Sequence, residues 1–322
     1  MDRPFFSVVI PVYNRAHLLR TALESVRAQT CQDFEIIIVD DGSKDDPRAV
    51  VDALNDRRIQ FIRQPNGGGG KARNTGFDAA RGKFIATLDS DDRFLPRHLE
   101  TMKRLLEGTT NTVGYARVIV DRGDGANFLK PPRAIRAGED MATYLLCDRG
   151  FISTSATVVP AEMARRVRHH EHLRAAEDTD FDIRLFLAGC RFVMAEEPGA
   201  VWEDGYRPDR LSDAKIGDTP EILSWIEGLR DRIPERAYYG CLGWPYAKYL
   251  AQTNKLKAFK AYLTAVFKGC YAPRLAIIIG LQIFLSKSLY RFIADTGIRK
   301  FRAGFRYVSR WPHQDHVRRH VG

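Results

Sequence analysis

Hydrophobic residues follow two alternating patterns along the first hundred residues of the chain. Short runs rich in Val, Ile and Phe predict buried strands at residues 6–12, 34–39, 59–62 and 84–88. Between these runs, apolar residues spaced three and four apart predict helices at residues 16–28, 47–54 and 71–80. Strands and helices that alternate in this way indicate βαβ units. The sequence therefore predicts an α/β fold with a central, mostly parallel sheet flanked by helices.

The rest of the chain is less regular and then becomes helical. Strands are predicted at residues 112–120 and 154–159, and an amphipathic helix at residues 179–188. Helical patterns follow at residues 221–229, 246–251, 256–267 and from 272 to about 310. The pattern is interrupted near residues 207–220, so we predict one domain over residues 1–215 and a helical C-terminal region over residues 216–322.

Polar residues follow the predicted strands, where ligands bind in doubly wound sheets. The fourth predicted strand ends in a carboxylate cluster that contains Asp89, Asp91 and Asp92. Carboxylate oxygens suit Mg²⁺ or Mn²⁺, which usually bind one or two carboxylates together with substrate phosphates. The alternative is an acidic cap on a helix that begins near Pro96. Both interpretations remain open from the residues alone.

A run of four glycines at residues 67–70 precedes Lys71 and Arg73. Glycines let the backbone approach a ligand closely, and the following helix start offers N–H groups and cations to a phosphate. The alternative is a flexible loop. The run is not a dinucleotide-binding fingerprint, because it lacks glycines at positions i, i+2 and i+5. It is not a Walker A loop either, because Ala72 follows Lys71 where Ser or Thr is needed.

Two further polar clusters occur later in the chain. Glu177 and Asp178 open a predicted helix, where they either provide a general base or balance the helix dipole. The histidine-rich run at residues 169–172 is predicted to be a solvated loop or surface helix, because neighbouring side chains point apart and at most two reach one metal ion.

Charge is distributed unevenly along the chain. The net charge is +10, but residues 240–322 alone contain 15 Lys and Arg and two acids. A near-neutral body joined to a basic tail suggests a polyanionic partner surface. No zinc-finger, helix-turn-helix or RNA-binding motif is evident, so nucleic acid is not expected. Five scattered cysteines and the lack of a secretory signal suit a reducing, cytoplasmic compartment.

The basic tail predicts association with a membrane surface. Residues 275–285 are apolar but fall short of the roughly 20 residues that span a bilayer. Farther on, an apolar stripe and a basic stripe share a predicted helix, as in interfacial helices. The apolar stripe contains Ile298, Phe301, Phe305 and Val308, and the basic stripe contains Arg299, Arg302, Arg306 and Arg310. Packing of these helices onto the protein body is the alternative.

Four ordered motifs resemble those of family 2 glycosyltransferases with the GT-A fold. They lie at residues 6–14, 39–43, 66–76 and 88–92, and they read FSVVIPVYN, VDDGS, NGGGGKARNTG and LDSDD. The likeness extends through Ser153, Glu177 and Asp178 to Tyr206, Arg207 and Ser212, about two-thirds of the chain. The resemblance implies that residues 1–215 form a GT-A catalytic domain.

The resemblance also implies a donor site. Pro11 and Tyr13 would line the base pocket, and Asp40 or Asp41 would hold uracil or ribose. Arg73 would lie near the nucleotide. The donor would be a nucleotide sugar, most simply one linked to UDP.

The catalytic roles follow from the same resemblance. Asp89 and Asp91 would be the DxD pair that binds Mg²⁺ or Mn²⁺, with Asp91 the direct ligand. Asp178 would be the catalytic base, with Glu177 as a secondary candidate, and transfer would invert the anomeric carbon. Members often carry a histidine shortly after Tyr-Arg; this chain lacks it, and Arg207 or Arg210 is the candidate substitute near the diphosphate.

These expectations define an activity and its rivals. We predict a metal-dependent glycosyltransferase on the inner face of the cell membrane, acting on a saccharide or lipid-linked acceptor during surface polysaccharide synthesis. A nucleotidyltransferase would use similar carboxylates and metal but would release pyrophosphate. A non-catalytic scaffold that binds nucleotide sugar or membrane is the third possibility, and it has no evident need for Asp89, Asp91 and Asp178 together.

Overall fold

The computed structural model describes residues 3–122, 127–173, 176–205 and 219–301. The strands in these ranges are β1 (Phe6–Val12), β2 (Phe34–Asp40), β3 (Ile59–Arg63), β4 (Phe84–Thr87), β5 (Arg93–Phe94), β6 (Thr112–Asp121), β7 (Phe128–Lys130), β8 (Thr157–Pro160) and β9 (Arg191–Glu203). The helices of the body are α1 (Ala16–Arg27), α2 (Pro47–Leu54), α3 (Gly69–Ala79), α4 (His98–Leu106), α5 (Met141–Cys147), α6 (Ala161–Val167) and α7 (Glu177–Leu187). The C-terminal helices are α8 (Thr219–Gly228), α9 (Glu235–Cys241), α10 (Ala247–Leu250), α11 (Lys255–Phe267), α12 (Pro273–Phe284) and α13 (Lys287–Phe301).

The first half of the sheet is parallel, in the order β3-β2-β1-β4. Its strands are apolar along their whole length because both faces are covered. In β1, Val8 and Ile10 belong to the core on one face, whereas Val9 belongs to the core on the other. These strands and the helices between them confirm the predicted βαβ units, with boundaries that differ by at most two residues.

The second half of the sheet is mixed, unlike the first. β8 pairs antiparallel with β4 and with β6, and β9 runs parallel to β6. The sequence pattern did not predict β9, although it has 13 residues. Its pairing with β6 is irregular at one point: Ala195 and Pro198 of β9 lie opposite the neighbouring residues Ala116 and Arg117 of β6. Glu196 and Glu197, between them, have no partner in β6 and are exposed. This irregularity breaks the apolar alternation that would have identified the strand.

Helix α3 packs very close to β1, and a glycine makes this possible. A Cβ atom at Gly76 would lie 2.3 Å from Cγ1 of Val9. Any side chain there would push the helix off the sheet, because such a distance is far inside van der Waals contact. The close approach sets the position of Arg73, which lies one turn earlier on the same helix.

The C-terminal helices pack against the body and share a hydrophobic core with it. One cluster contains Tyr115 of β6 and Ile183 of α7 together with Ile226, Cys241 and Ile279 of the C-terminal helices. The predicted domain boundary near residues 207–220 falls mostly on residues that the structure does not describe. It therefore stays a prediction.

The structure divides the helical pattern predicted from residue 272 onward into two helices. Helix α12 ends at Phe284, and α13 begins at Lys287 after a short break. None of the helices within the described ranges combines the length and the apolar character needed to cross a membrane. Most of the two predicted stripes, from Arg302 onward, lies outside the described residues.

Candidate active site

The carboxyl ends of the parallel strands lie at one edge of the sheet. In the pairing of β1 with β2, Val12 lies opposite Asp40, and in that of β1 with β4, Val9 lies opposite Thr87. The loops that follow these strands therefore begin close together. This edge gathers the polar motifs that the sequence places after the first, second and fourth strands.

Asp41 organises the glycine run rather than projecting away from it. One of its carboxylate oxygens accepts hydrogen bonds from Gln64 Nε2 (2.7 Å) and Gly67 N (2.9 Å), and the other accepts from Gly68 N (2.8 Å). Gly68 has φ of 89°, which favours glycine. Two N–H groups of the run thus bind Asp41, and α3 begins directly after them.

Asp40 is fully buried at the end of β2. Its Oδ1 accepts a 2.9 Å hydrogen bond from Ser43 N, and Arg63 Nη1 lies 3.3 Å from its Oδ2. The neighbouring carboxylates of Asp40 and Asp41 therefore accept hydrogen bonds from different donors. The two loops after β2 and β3 are joined by these contacts.

The segment after β1 carries the residues expected to line a base pocket. Pro11 pairs with Val39 inside the sheet, whereas Tyr13 lies beyond the strand with 38% of its surface exposed. Asn14 has φ of 52°, its N–H donates to Ser43 Oγ (2.9 Å), and its Oδ1 accepts from the N–H that follows Ser43 (2.7 Å). These bonds fix the β1 loop against the β2 loop, with Tyr13 on the accessible side.

The two acids of the DxD motif each face an arginine. Arg15 Nη1 lies 2.8 Å from Asp91 Oδ2, and Arg73 Nη2 donates a 2.7 Å hydrogen bond to Asp89 Oδ1. The Asp89 side chain is 34% exposed, and Arg73 is its only side-chain partner among the described residues. Asp89 therefore offers hard carboxylate oxygens at the edge of the sheet, and Asp91, whose side chain is 13% exposed, offers a second carboxylate. Such oxygens suit a divalent cation such as Mg²⁺ or Mn²⁺.

Asp92 has a structural role and does not cap a helix. Its carboxylate accepts hydrogen bonds from Ser155 Oγ and from Glu203 N, so it ties the β4 loop to β9. Helix α4 begins six residues later, at His98. Burial raises the pKa of Asp92 well above its usual value, and the charges of Asp89 and Asp91 add to the rise. A cation bound by these two acids would reduce this repulsion.

Arg73 connects two motifs that are far apart in the sequence. Its Nη1 donates a 2.9 Å hydrogen bond to Glu177 Oε1, while its Nη2 binds Asp89. Arg73 is 8% exposed. Burial by itself lowers the pKa of Arg73, but the charges of Asp89 and Glu177 outweigh it and raise the pKa above its usual value. The guanidinium therefore remains charged and holds the DxD motif beside the start of α7.

The acids that open α7 do more than balance its dipole. Ala176, with φ of 60°, precedes the helix, and the carboxylate of Glu177 binds Arg73. Oδ1 of Asp178 is buried and has no hydrogen-bond partner among the described residues. Burial raises the pKa of Asp178; Arg73 opposes the rise, and Glu177 adds to it. Asp178 is thus a carboxylate with raised basicity next to the DxD motif, which suits a general base.

His169 corrects the expectation that the histidine run lies in solvent. His169 is 4% exposed and stacks on Phe181, with 4.1 Å between ring centroids. Asn74 holds its backbone, accepting from His169 N (2.8 Å) and donating to His169 O (3.0 Å). Burial lowers the pKa of His169 to about 3, so its imidazole is neutral. His170 and His172 are exposed, as predicted. No local pattern could identify His169, because its partners come from α3 and α7.

His169 also belongs to a compact group of possible metal ligands. Its ring nitrogen and single carboxylate oxygens of Glu177 and Asp178 lie within 4.8 Å of one another. Arg73, however, donates to Glu177 Oε1, and a metal ion there would lie beside a guanidinium cation. Asp89 and Asp91 of the DxD motif likewise pair with Arg73 and Arg15, so both groups of carboxylates have a guanidinium beside them.

The structure brings together four of the residues selected from the sequence: Arg73, Asp89, Glu177 and Asp178. Asp89, Asp178 and Glu177 all contribute to the electrostatic surroundings of Arg73. The secondary candidates Arg207 and Arg210 lie outside the described residues.

Comparisons with known proteins agree with this arrangement. The family model described as glycosyl transferase family 2 matches residues 7–168. The amylovoran biosynthesis glycosyltransferase AmsB of Erwinia amylovora is 31% identical over 250 residues, which cover 73% of this chain and 80% of AmsB. The succinoglycan biosynthesis protein ExoW of Rhizobium meliloti is 32% identical over 240 residues, covering 67% of this chain and 73% of ExoW.

Solved structures share the fold at low sequence identity. Residues 1–349 of S. aureus TarS in complex with UDP-GlcNAc superpose with a TM-score of 0.61 at 18% identity, covering 94% of this chain and 93% of that chain. The mannosyltransferase PcManGT of Pyrobaculum calidifontis, in complex with GDP-Man and Mn²⁺, superposes with a TM-score of 0.56 at 16% identity. The match covers 94% of this chain and 87% of the PcManGT chain. The motifs, the GT-A architecture and the matching relatives lead to one conclusion: this chain belongs to glycosyl transferase family 2.

Proposed function

We propose that this family 2 glycosyltransferase moves a sugar from a UDP-linked donor to a hydroxyl group of a saccharide or lipid-linked saccharide, with inversion, during polysaccharide synthesis. The observation that carries the proposal is the bridge made by Arg73 between Asp89 and Glu177. This bridge holds Asp89, which would bind the metal, beside the start of α7, which carries the proposed base Asp178. The relatives named for amylovoran and succinoglycan biosynthesis support the polysaccharide role, and the TarS complex with UDP-GlcNAc supports the nucleotide.

The donor would bind along the carboxyl edge of the sheet. Pro11 and Tyr13 would contact the base, since Tyr13 offers an accessible ring beside the β2 loop. Asp40 would hold uracil or ribose with the Oδ2 that Arg63 approaches. Asp41 would act through the glycine loop that it organises, because three internal donors already bind its carboxylate.

The diphosphate would lie next to Asp89 and Asp91, which would hold Mg²⁺ or Mn²⁺. A divalent metal bound there neutralises negative charge that develops on the leaving diphosphate. Arg73 would keep Asp89 in place and would add positive charge near the nucleotide. Arg207 and Arg210 remain secondary candidates for contacts with the diphosphate, on the strength of the sequence motif alone.

Asp178 would act as the base. It would accept the proton of the acceptor hydroxyl while the acceptor oxygen attacks the anomeric carbon from the face opposite the diphosphate. The raised pKa of Asp178 improves its ability to take up this proton, provided that it is ionised before the step. Glu177 would serve indirectly, by orienting Arg73. This single displacement needs no covalent intermediate and inverts the configuration.

The C-terminal helices would hold the enzyme on the inner face of the cell membrane. Of the large hydrophobic side chains that are exposed among the described residues, all but Tyr13 and Leu129 lie on α11, α12 and α13. They are Leu256, Phe259, Phe267, Ile277, Phe284, Leu289, Phe292 and Ile293. Phe259 contacts Phe284, which joins α11 to α12, and exposed lysines flank them on α11. Exposed apolar groups beside basic ones are typical of an interfacial, anionic-membrane contact.

A donor screen tests the activity directly. The purified chain is incubated with UDP-, GDP- and dTDP-linked sugars and Mn²⁺ or Mg²⁺, and nucleoside diphosphate release is measured with and without saccharide acceptors. Release of UDP is expected, and it requires the metal. Release of pyrophosphate would instead support a nucleotidyltransferase. Nucleotide-sugar binding without any turnover would support a non-catalytic scaffold.

A further inference from the structure

A small cavity lies directly behind the proposed base. Its volume is about 10 Å³, which accommodates about one water molecule. The polar residues that line it are Thr87, Thr154, Thr157, His169, Asp178 and Asp182. The cavity is thus small, and six of the seven residues that line it carry polar side chains able to bind a single ordered water.

Three buried polar atoms of these lining residues have no hydrogen-bond partner among the described residues. They are Oδ1 of Asp178, Oγ1 of Thr154 and Nδ1 of His169, and the last of these lies 3.1 Å from Oε1 of Glu177. The other two threonines differ, because Thr157 Oγ1 donates to Ser153 O (2.7 Å) and Thr87 Oγ1 donates to Thr154 O (2.6 Å). Buried polar atoms without a partner are costly, so a shared bound group is expected between Asp178 and Thr154.

Asp182 is the third polar group at the cavity, and the mechanism above does not use it. It is 4% exposed, and it lies four residues after Asp178 on α7, so both side chains project from one face of the helix. Within the described part of the chain, its carboxyl group has neither a hydrogen-bond donor nor a cationic partner. An ionised carboxylate would be strongly disfavoured there.

The charged groups near Asp182 also disfavour its ionised form. Asp178 and Asp180 lie on its own helix, and Tyr115 faces it from β6. Burial raises the pKa of Asp182 well above its usual value, and both aspartates add to the rise. Burial without a donor or a cation therefore favours the protonated form of Asp182. It can then donate a hydrogen bond, as a carboxylate cannot.

We propose that Asp182 is a positioning residue for the base: as a neutral carboxylic acid, it donates a hydrogen bond through one water molecule in this cavity to Oδ1 of Asp178. Thr154 Oγ1 is the third partner of that water. The proposal rests on the proposed role of Asp178. The hydrogen bond fixes the rotation of the Asp178 carboxylate and leaves Oδ2 for the acceptor hydroxyl. Asp182 keeps its proton throughout, and the acceptor proton goes to Asp178.

The hydrogen bond also affects the ionisation of the base. Asp178 faces Arg73 from α3, Glu177 from α7, Asp89 from the β4 loop and His169 from the loop before α7. A donor on Oδ1 stabilises the ionised carboxylate against the two acids. Without that donor, Asp178 would stay protonated to higher pH.

Two substitutions at Asp182 separate a neutral donor from an ionised carboxylate. Asp182→Asn keeps the volume and an N–H donor, so kcat should fall less than about threefold and the acid limb of the kcat/KM profile should stay in place. Asp182→Ala removes the donor, so kcat should fall about tenfold with an unchanged KM for the donor sugar, and the acid limb should move to higher pH. An acid limb that moves to lower pH in Asp182→Asn would mean that Asp182 is ionised, and would overturn the proposal.

A matched pair of threonine variants tests the water. Thr154→Val removes the hydroxyl that lacks a partner, whereas Thr157→Val removes one that already binds Ser153. Only Thr154→Val should lower kcat and shift the acid limb, in the same direction as Asp182→Ala. Equal effects of both variants on kcat and on the acid limb would indicate general damage to the cavity and would count against the proposal. This pair also serves if Asp182→Ala does not fold.

An infrared measurement reports the proton without any turnover. The spectrum of the wild type minus that of Asp182→Asn at pH 7 should contain the C=O stretching band of a protonated carboxylic acid. Absence of this band would overturn the proposal. A wild type without turnover on any nucleotide sugar would instead overturn the proposed function, and the infrared band would still report Asp182 independently.

Discussion

The indole Nε1 of Trp225 donates a 2.9 Å hydrogen bond to Oδ1 of Asp180. Trp225 belongs to α8, and Asp180 lies two residues after the proposed base on α7. The other oxygen of Asp180 accepts from Arg184 on the same helix, and the Asp180 side chain is fully buried. The C-terminal helices therefore contact the helix that carries the catalytic acids.

Trp225→Phe tests whether this contact supports catalysis as well as stability. The variant keeps most of the ring but leaves Oδ1 of Asp180 without its donor, which should lower the free energy of unfolding by about 1–3 kcal/mol. Because α7 loses a hydrogen bond that fixes its position next to α8, kcat should also fall. Denaturant unfolding and turnover measure the two effects.

Trp244→Phe is the matched control. Trp244 Nε1 donates to Gln282 Oε1 at 2.9 Å, within the C-terminal helices. We expect a similar loss of stability and an unchanged kcat. An equal fall in kcat in both variants would show that general destabilisation, and not the contact with Asp180, reduces activity.

Asp91→Asn should reduce transfer by more than about 100-fold, because a bound metal contributes several kcal/mol of transition-state stabilisation. The concentration of Mn²⁺ or Mg²⁺ needed for half-maximal rate should rise. Arg15→Gln removes the cation beside Asp91 but keeps the carboxylate, so the metal concentration needed for half-maximal rate should not rise. Titration of the metal in a turnover assay distinguishes the two. Similar metal curves for Asp91→Asn and the wild type would exclude Asp91 as a ligand.

Asp178→Asn should lose about 100- to 10,000-fold in kcat while still binding the nucleotide sugar, since it removes the proton acceptor and keeps the volume. Its stability at pH 7 should not fall. The folded pKa of Asp178 is raised, so the ionised form opposes folding as pH rises through the range from 3.8 to that pKa. Turnover, calorimetric donor binding and thermal unfolding provide the three readouts.

Glu177→Gln should affect stability more than catalysis, the reverse of Asp178→Asn. It removes the partner of Arg73 Nη1, so it should destabilise the fold more than Asp178→Asn and reduce kcat less. Small and equal losses of kcat in both variants would support the alternative that these acids only balance the dipole of α7.

His98 should make the protein less stable as the pH falls below 6.5. It is 2% exposed on α4, its ring lies 4.5 Å from that of Phe94 between centroids, and burial lowers its pKa from 6.5 to about 3. Between these values the unfolded chain binds a proton that the folded protein does not, so stability is lost as pH falls. His98→Leu should reduce the slope of unfolding free energy against pH by about 1.4 kcal/mol per pH unit. Phe94→Leu, which disturbs the same packing, should leave the slope unchanged.

The double variant Phe259→Ser and Phe284→Ser should weaken binding to anionic vesicles by at least about tenfold, because two apolar side chains can no longer enter the interface. Replacing Lys255, Lys257 and Lys260 by Gln should weaken binding mainly at low salt. Leu129→Ser removes an exposed apolar group of the body and should have no effect. Co-sedimentation across a salt series tests all three. Vesicle binding that responds to none of these changes would contradict a membrane contact through α11 and α12.

Local patterns in the sequence determined the parallel half of the sheet and the motifs at its carboxyl edge. β1 and α2 begin and end at the predicted residues, because a continuous apolar run and a proline at the first turn are local signals. The order of the strands then places Asp40 and Asp89 at the same edge. The resemblance of the motifs was sufficient to predict the family.

Only the tertiary structure decided which partners the site residues have. Arg73 and Glu177 are 104 residues apart, and their contact depends on how α3 and α7 pack on the sheet. His169 is buried where Phe181 stacks on it, and Asp182 is buried beside a cavity that Thr87 and Thr154 also line. Sequence periodicity reports which face of an element is apolar. It contains no information on which distant side chain packs against that face. These long-range contacts determine how buried the site residues are and which charges surround them, and the chemistry of the site depends on both.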